Sequence, residues 1–332
     1  MVDEAARALL REAAHAQDAG VWLKAASAAA RAHDWDEAGR ALLFARSLGA
    51  ETQPVDDAMA PTTLTFERRA AGSMIVEGPL GWLAWSPSGE HVYVVDGKRR
   101  VLSLGVEPGR NARIFESPGL MAAVPVLEED LLVLFWRSSE STRIARFDLA
   151  TRTIGEAHTN QPMEELELAS FGDQIVCVVG DRYAYRFPAR AGEIQLEAML
   201  VGDGFVTWAG EVVHPPPPVP GAPKTLRFIL PGGCFPTRGS VERFVTLATP
   251  ERVGMTPREV KEDALEHAVS PSGRHIAFLR VHSDAVLLVD LASGERRSVT
   301  FDEHPRAAAW SPSGRRLAVM TDTRVHFLTF TG

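Results

Sequence analysis

Three stretches of this chain share one phrase: LAWSPSGEHVYVV from Leu83, HAVSPSGRHIAFL from His267 and AAAWSPSGRRLAVM from Ala307. In each, an apolar run meets a Ser-Pro-Ser-Gly corner and a second apolar run follows. Pro87, Pro271 and Pro312 preset φ at the first central position of a turn, and Gly89, Gly273 and Gly314 supply positive φ. Ser86, Ser270 and Ser311, which open the corners, are placed to bond the backbone inside the turn. Such a corner joins two antiparallel neighbours, so these nine residues read as architecture. No Gly-x-Ser-x-Gly elbow occurs that would make any of these serines a nucleophile.

The spacing of the corners carries the fold. Ser270 and Ser311 are 41 residues apart, the length of one four-stranded antiparallel sheet with tight turns. Between Ser86 and Ser311 lie 225 residues, which six intervals of about 37 would fill. That predicts seven units, or six if the irregular 199–254 stretch is one expanded unit. From residue 62 onward short runs with period 2 alternate with Gly, Pro, Ser and Asp, and no βαβ pattern interrupts them. A unit alone would expose an apolar sheet face, so the units must stack; radial stacking into a closed ring also protects the sheet edges. A linear β-solenoid is the alternative. The last unit stops at Gly332 one strand short, and TLTFERR at 63–69 is placed to supply the missing outer strand. The expected fold is mainly β: a seven-bladed (alternatively six-bladed) β-propeller with a small N-terminal α-helical domain.

Residues 1–49 read as that helical domain. Apolar residues recur at helical spacing over roughly 3–18, Val21 to Ala32 and Trp35 to Leu48. Asp34 with Glu37 forms a capping-box pattern, and Gly49 is placed to end the third helix. Three short helices have little core, so they should dock on the next domain or on a partner. Residues 50–61, polar and acidic with two prolines, read as a linker, and 62–332 as the propeller.

A formal charge of −8 disfavours a nucleic-acid partner. The amphipathic N-terminus has no signal-peptide layout and no apolar run reaches 18 residues, so a cytoplasmic protein without membrane insertion is expected. Cys177 and Cys234 read as free buried thiols. His267, His275, His282 and His304 lack local ligand spacing and would make a metal site only by converging from different blades. No cofactor is expected. The acidic EEDL at 128–131 and MEELE at 163–167 read as solvated turns, and Trp82, Trp85, Trp136, Trp208 and Trp310 as core or blade packing. The HPPPPVPG stretch is the most unusual. His214 followed by Pro215, Pro216, Pro217 and Pro218 forms a stiff polyproline rod, a candidate docking feature alongside Trp22 and Trp35 of the helices.

The corner phrases, with VLLVDLASGE after the second, resemble blades of WD40-like propellers, particularly the bacterial TolB-type repeat whose usual corner is SPDG. The likeness is clear at 80–112, 264–300 and 303–331; Ser stands where that repeat has Asp, and no blade has the Gly-His and Trp-Asp pair of true WD40 repeats. The helices are similar to one tetratricopeptide-like unit through Trp22, Ala26, Trp35, Ala38, Ala41 and Ala45. The resemblance implies a rigid ring that binds proteins or peptides at its central opening or loop faces. The expected function is a non-enzymatic scaffold recognising a protein or peptide. A channel-centred hydrolase or lyase with a metal ion, or a small-ligand sensor, are the alternatives.

Overall fold

The computed structural model describes residues 4–15, 17–71, 81–160, 166–171, 174–179, 183–190, 194, 197–200, 205–206, 212–213, 247, 250–253, 264–280 and 283–332. Four helices open the chain: α1 (Glu4–Ala13), α2 (Ala19–Arg31), α3 (Trp35–Ser47) and α4 (Gln53–Met59). Their shared core is built from Ala13, Ala25, Ala26, Ala29, Ala38, Ala41, Leu42 and Met59. Small side chains let the helix axes approach closely, which suits three short helices with few large apolar residues. Asp34 caps α3 by accepting a bond from the Glu37 amide at 3.4 Å. Gly49, at φ 84°, ends it: its own amide bonds Arg46 O at 2.8 Å and the Ala50 amide reaches Ala45 O at 2.9 Å, a Schellman closure.

The linker expected at 50–61 is largely helix α4. Pro54 sits at its first turn, where a missing N–H costs nothing. What anchors it is a buried polar cluster: Arg46 Nε donates to Thr52 Oγ1 at 2.9 Å, Thr52 Oγ1 donates to Asp56 at 2.7 Å, and the Arg46 guanidinium pairs with the Asp56 carboxylate. Burial raises the Asp56 carboxyl above its ordinary range against the pull of Arg46. The acidic residues that suggested a solvated linker include this buried one.

The remainder is β. Four-stranded antiparallel meanders form from β2 to β5 (Trp82–Trp85, His91–Val95, Arg100–Gly105, Ala112–Glu116) and from β6 to β9 (Leu120–Pro125, Leu131–Arg137, Thr142–Asp148, His158–Asn160). A third is built by β10 to β13 (Leu166–Phe171, Gln174–Val179, Tyr183–Pro188, Glu197–Leu200), and a fourth by β16 to β19 (Ala264–Val269, His275–Arg280, Ala285–Asp290, Arg296–Thr300). Between these two lies a hairpin, β14 (Phe205–Val206) with β15 (Val212–Val213). The fifth sheet joins β20 (Pro305–Trp310), β21 (Arg316–Thr321) and β22 (Val325–Phe330) to β1 (Phe66–Ala70) from the other end of the propeller sequence. In it Phe66 pairs with Phe330 and Ala70 with His326. β1 overlaps the TLTFERR stretch, running one residue past it to Ala70, and takes the outer position the last unit lacks.

These sheets resemble propeller blades. First strands touch first strands in succession: β16 with β20, β20 with β2, β2 with β6 and β6 with β10. The apolar clusters lie between neighbours. One joins Ala277, Leu279 and Leu288 of the fourth sheet to Trp310, Val319 and Leu328 of the fifth. Another joins Trp85, Val92 and Leu102 to Ala318, Met320 and Phe327, and a third joins Tyr93 and Val101 to Leu132, Trp136 and Phe147. The β2–β5 sheet and the fifth sheet each give residues to two of these clusters, so both of their faces are apolar and stacking on two sides buries them. The tryptophans add directed bonds across the seams: Trp310 Nε1 to Ala268 O at 3.0 Å, Trp85 Nε1 to Ala309 O at 2.7 Å and Trp82 Nε1 to Ala123 O at 3.2 Å.

Candidate functional site

The three Ser-Pro-Ser-Gly corners have one geometry. The glycine amide bonds the carbonyl of the opening serine, at 2.9 Å for Gly89 to Ser86 and 2.8 Å for Gly273 to Ser270 and for Gly314 to Ser311. The opening serine's hydroxyl accepts the amide five residues on: His91 at 3.2 Å, His275 at 3.0 Å and Arg316 at 3.1 Å. The second serine lies 3.1 Å from the first in every corner. All three glycines have positive φ, between 68° and 72°.

A fourth corner of the same pattern carries none of the signature. The Val126 amide bonds Leu131 O at 3.1 Å, the Glu129 amide bonds Val126 O at 3.0 Å, and Glu129 occupies the glycine position at φ 61°. Its carboxylate accepts bonds from the Ser88 amide and, at 3.1 Å, from the Ser88 hydroxyl of the preceding corner. Burial raises the Glu129 carboxyl above its ordinary range, opposed chiefly by those Ser88 bonds. The EEDL stretch is therefore not merely a solvated turn. Glu129 clamps two corners together, while Glu128 and Asp130 both bind Arg190 of the third sheet, at 2.6 and 2.8 Å.

The helical group docks on these corners. Asp36 of α3 receives Arg316 Nη1 at 2.6 and 2.8 Å, and the same nitrogen donates to Gly89 O at 3.1 Å. Gly39 faces the third corner so closely that a Cβ there would lie 2.5 Å from Ser313 N. From α4, Gln53 Nε2 donates to Ser272 O at 3.1 Å. Corners of three successive sheets thus share one helical cover. Gly39, Asp36, Arg316 and Glu129 carry this arrangement, and none stood out in the sequence.

Of the candidate interaction residues, Trp35 lies against Arg315, whose Cζ is 4.1 Å from the ring centroid. Trp22 stacks on Phe44 with centroids 4.4 Å apart and planes 11° apart. Trp22 also lines an open groove of about 500 Å3 with Leu10, Arg11, Ala14, Asp34, Glu37 and Arg40. Glu37 points to a different side of α3 from Gly39, while Arg40, four residues on from Asp36, stands one turn above it. His214 and Pro215, Pro216, Pro217 and Pro218 lie outside the described residues, as do Cys234, Trp208 and His282.

Of the histidines named above, the described ones, His267, His275 and His304, form no metal-holding group. His275 is fully buried, 5.9 Å from Trp310 by ring centroids, with Nε2 3.9 Å from Asp290. Burial pushes it down to about 4, so it is neutral at pH 7. Asp290 is held at about 2: burial would raise it, but Arg274 binds it at 2.7 and 3.0 Å and outweighs that. His304 sits near Asp284, 3.9 Å away. Among the described residues no three His, Cys, Asp or Glu side chains converge as a metal site, and no helix is long and apolar enough to cross a membrane.

No protein-family model matches the chain, and no curated protein matches it. Solved structures do. A chain of a mitotic checkpoint complex aligns over 82% of this chain and 96% of its own, at 13% identity and TM-score 0.52. The RRP9 WD40 repeats align over 82% and 99%, at 10% identity and TM-score 0.48. TolB from Acinetobacter baumannii is 16% identical over 77% of this chain at TM-score 0.33, and the match spans 55% of the TolB chain. At these identities the likeness is one of fold, and the fold is β-propeller-like.

Proposed function

We propose that the chain is a non-enzymatic protein-interaction module of the WD40-like, TolB-type kind, working in the cytoplasm, with its helical group as the partner-facing element. The observation that carries this reading is the two-sided use of α3. Asp36 and Gly39 hold it to the ring, while Asp34, Glu37 and Arg40 line an open groove with Trp22. Trp22 stacks on Phe44 and yet stays half-exposed beside the cleft, and large half-exposed apolar surface is a usual mark of recognition.

The ring that presents it is proposed to be closed and seven-bladed, or six-bladed if the irregular 199–254 stretch is one expanded unit. Closure is supported by β1, which brings the start of the propeller sequence onto its last sheet. The test is a photo-reactive residue at Ala14, introduced in native cells. A discrete protein adduct that can be rebuilt from purified components is the expected result. Absence of any adduct, with turnover of a metal-dependent ester or lactone substrate by the purified chain, would favour the enzyme alternative.

A further inference from the structure

We propose that the first two sheets carry, on the face of the ring turned away from the helices, a docking surface for an acidic peptide segment of a partner. It is a second interaction face, beyond the helical one, and it stands on the ring alone.

Strand direction fixes the face. The corners at 86–89 and 126–129, joined through Ser88 and Glu129, lie at the helical end of β2, β3, β6 and β7. The next turns, 96–99 after β3 and 138–141 after β7, therefore lie at the opposite end. The connector from β5 to β6 links them: the Ser117 amide bonds Arg99 O at 3.2 Å, and the Arg137 amide bonds Gly119 O at 3.1 Å. Arg99 and Arg137, both exposed, thus flank a short bridge in which Pro118 is exposed and Gly119, at φ 76°, presents no side chain. Arg143 is exposed beside them on β8, paired opposite Trp136, with its Cζ 5.7 Å from that ring's centroid.

The charge of this sector is unbalanced. Asp96 is buried and held by Arg100 at 2.8 Å, and Glu116 is taken by Arg113. Arg99, Arg137 and Arg143 pair with no carboxylate among the described residues, and Lys98 adds a further positive charge. Against them stands Glu140, at the tip of the 138–141 turn. Elsewhere the ring's arginines find acids: Arg110 meets Glu90, Arg190 meets Glu128 and Asp130, and Arg306 meets Asp322. In a chain with 43 acidic against 35 basic residues, three exposed guanidiniums left without a carboxylate mark a place for an external one. A guanidinium binds a carboxylate through two parallel N–H donors, which the Asp or Glu of a peptide matches. The formal charge of −8 works against a long polyanion, whereas a short acidic segment meets only this sector.

The test uses the full-length protein as bait for a phage-displayed library of random 12-residue peptides, with a double Arg99→Glu, Arg137→Glu protein as counter-bait. Expected is enrichment of sequences rich in Asp and Glu. The best synthetic peptide should lose about tenfold or more in affinity for the double Glu variant and weaken with added salt. It should stay within a few-fold for Arg99→Lys with Arg137→Lys, which keeps the charge. Arg137→Gln and Arg143→Gln, each alone, should cost a few-fold, so a misfolded double variant would not decide the matter. Neutral or basic consensus sequences, no enriched sequence at all, or affinity indifferent to these variants would overturn the proposal. A single-stranded DNA oligonucleotide that displaces the peptide at physiological salt would overturn it too, by giving the surface to nucleic acid. The Ala14 adduct reports on the helices at the other end of the strands, so either reading can fall without the other.

Discussion

Gly39→Ala is the most direct challenge to the docking of helices on corners. In a solvent-facing helix interior, alanine for glycine gains about 1 kcal/mol. Here the new Cβ would lie 2.5 Å from Ser313 N, 2.8 Å from Ser313 Cα and 2.9 Å from the Pro312 carbonyl carbon. Those are backbone atoms of a hydrogen-bonded corner and cannot swing aside, so α3 must lift about 0.9 Å to reach ordinary contact. Asp36 lifts with it, stretching the 2.6 Å contact with Arg316 to about 3.5 Å, the limit of a hydrogen bond. Overpacking of this kind costs about 1–3 kcal/mol. The weakened ion pair adds up to about 1, and the helix gain offsets about 1. The docked state should therefore lose about 1.5 kcal/mol and at most about 3, seen as amide exchange in α3 that is about tenfold faster and at most about a hundredfold. Unchanged or slower exchange in α3, or a higher denaturation midpoint, would refute the close approach and the role assigned to Gly39.

Other outcomes follow from the seams and the buried groups. Trp85→Phe removes the bond to Ala309 O and leaves a buried carbonyl short of a partner; chemical denaturation should show a loss of about 1–3 kcal/mol, and a neutral result would mean that the bond contributes nothing. At the fourth corner, Glu129→Ala should be the more damaging change and Glu129→Gly milder by about 1 kcal/mol. Both lose Ser88, but only glycine relieves the φ of 61°; equal losses would remove the strain argument. His275 is held at about 4 against an ordinary 6.5, so the unfolded chain takes up its proton first. Its contribution is complete above pH 6.5 and declines as pH falls towards 4. Denaturation midpoints of His275→Gln should fall less over that window than those of the unaltered protein, and parallel profiles would contradict the assignment.

Legibility in the sequence followed the range of each interaction. Corner turns are local: Pro87 and Gly89, with their counterparts, declare a turn to anyone reading four residues. The outer strand at Phe66–Ala70 was legible for a different reason, since counting strands in the last unit left one position empty and only one alternating stretch was spare. Where a corner substitutes tertiary bonds for local ones it vanishes from view. Glu129 holds a left-handed backbone through Ser88, 41 residues away, and nothing in VLEED hints at that. Likewise α4 hid behind prolines and acids because its stabilising partner, Arg46, belongs to the preceding helix. The docking seam was the least accessible. It depends on a single missing Cβ at Gly39 and on a pair, Asp36 and Arg316, 280 positions apart. No periodicity carries such information.

The pairing of β1 with β22 also sets a timetable. A ribosome releases the helical group and β1 long before the strand that pairs with β1. Until Val325–Phe330 emerges, β1 has an open edge, and until Arg316 emerges Asp36 has no counter-ion on the ring. Both latches therefore stay open while the intervening sheets are made, and both close within a short stretch of chain, between Arg316 and Phe330. Contacts of such long range are slow to form and leave strand edges open to the wrong neighbours meanwhile. Loss of Val325–Phe330 would strand β1 permanently, so truncation ahead of β22 should harm this protein far more than its distance from the helices suggests.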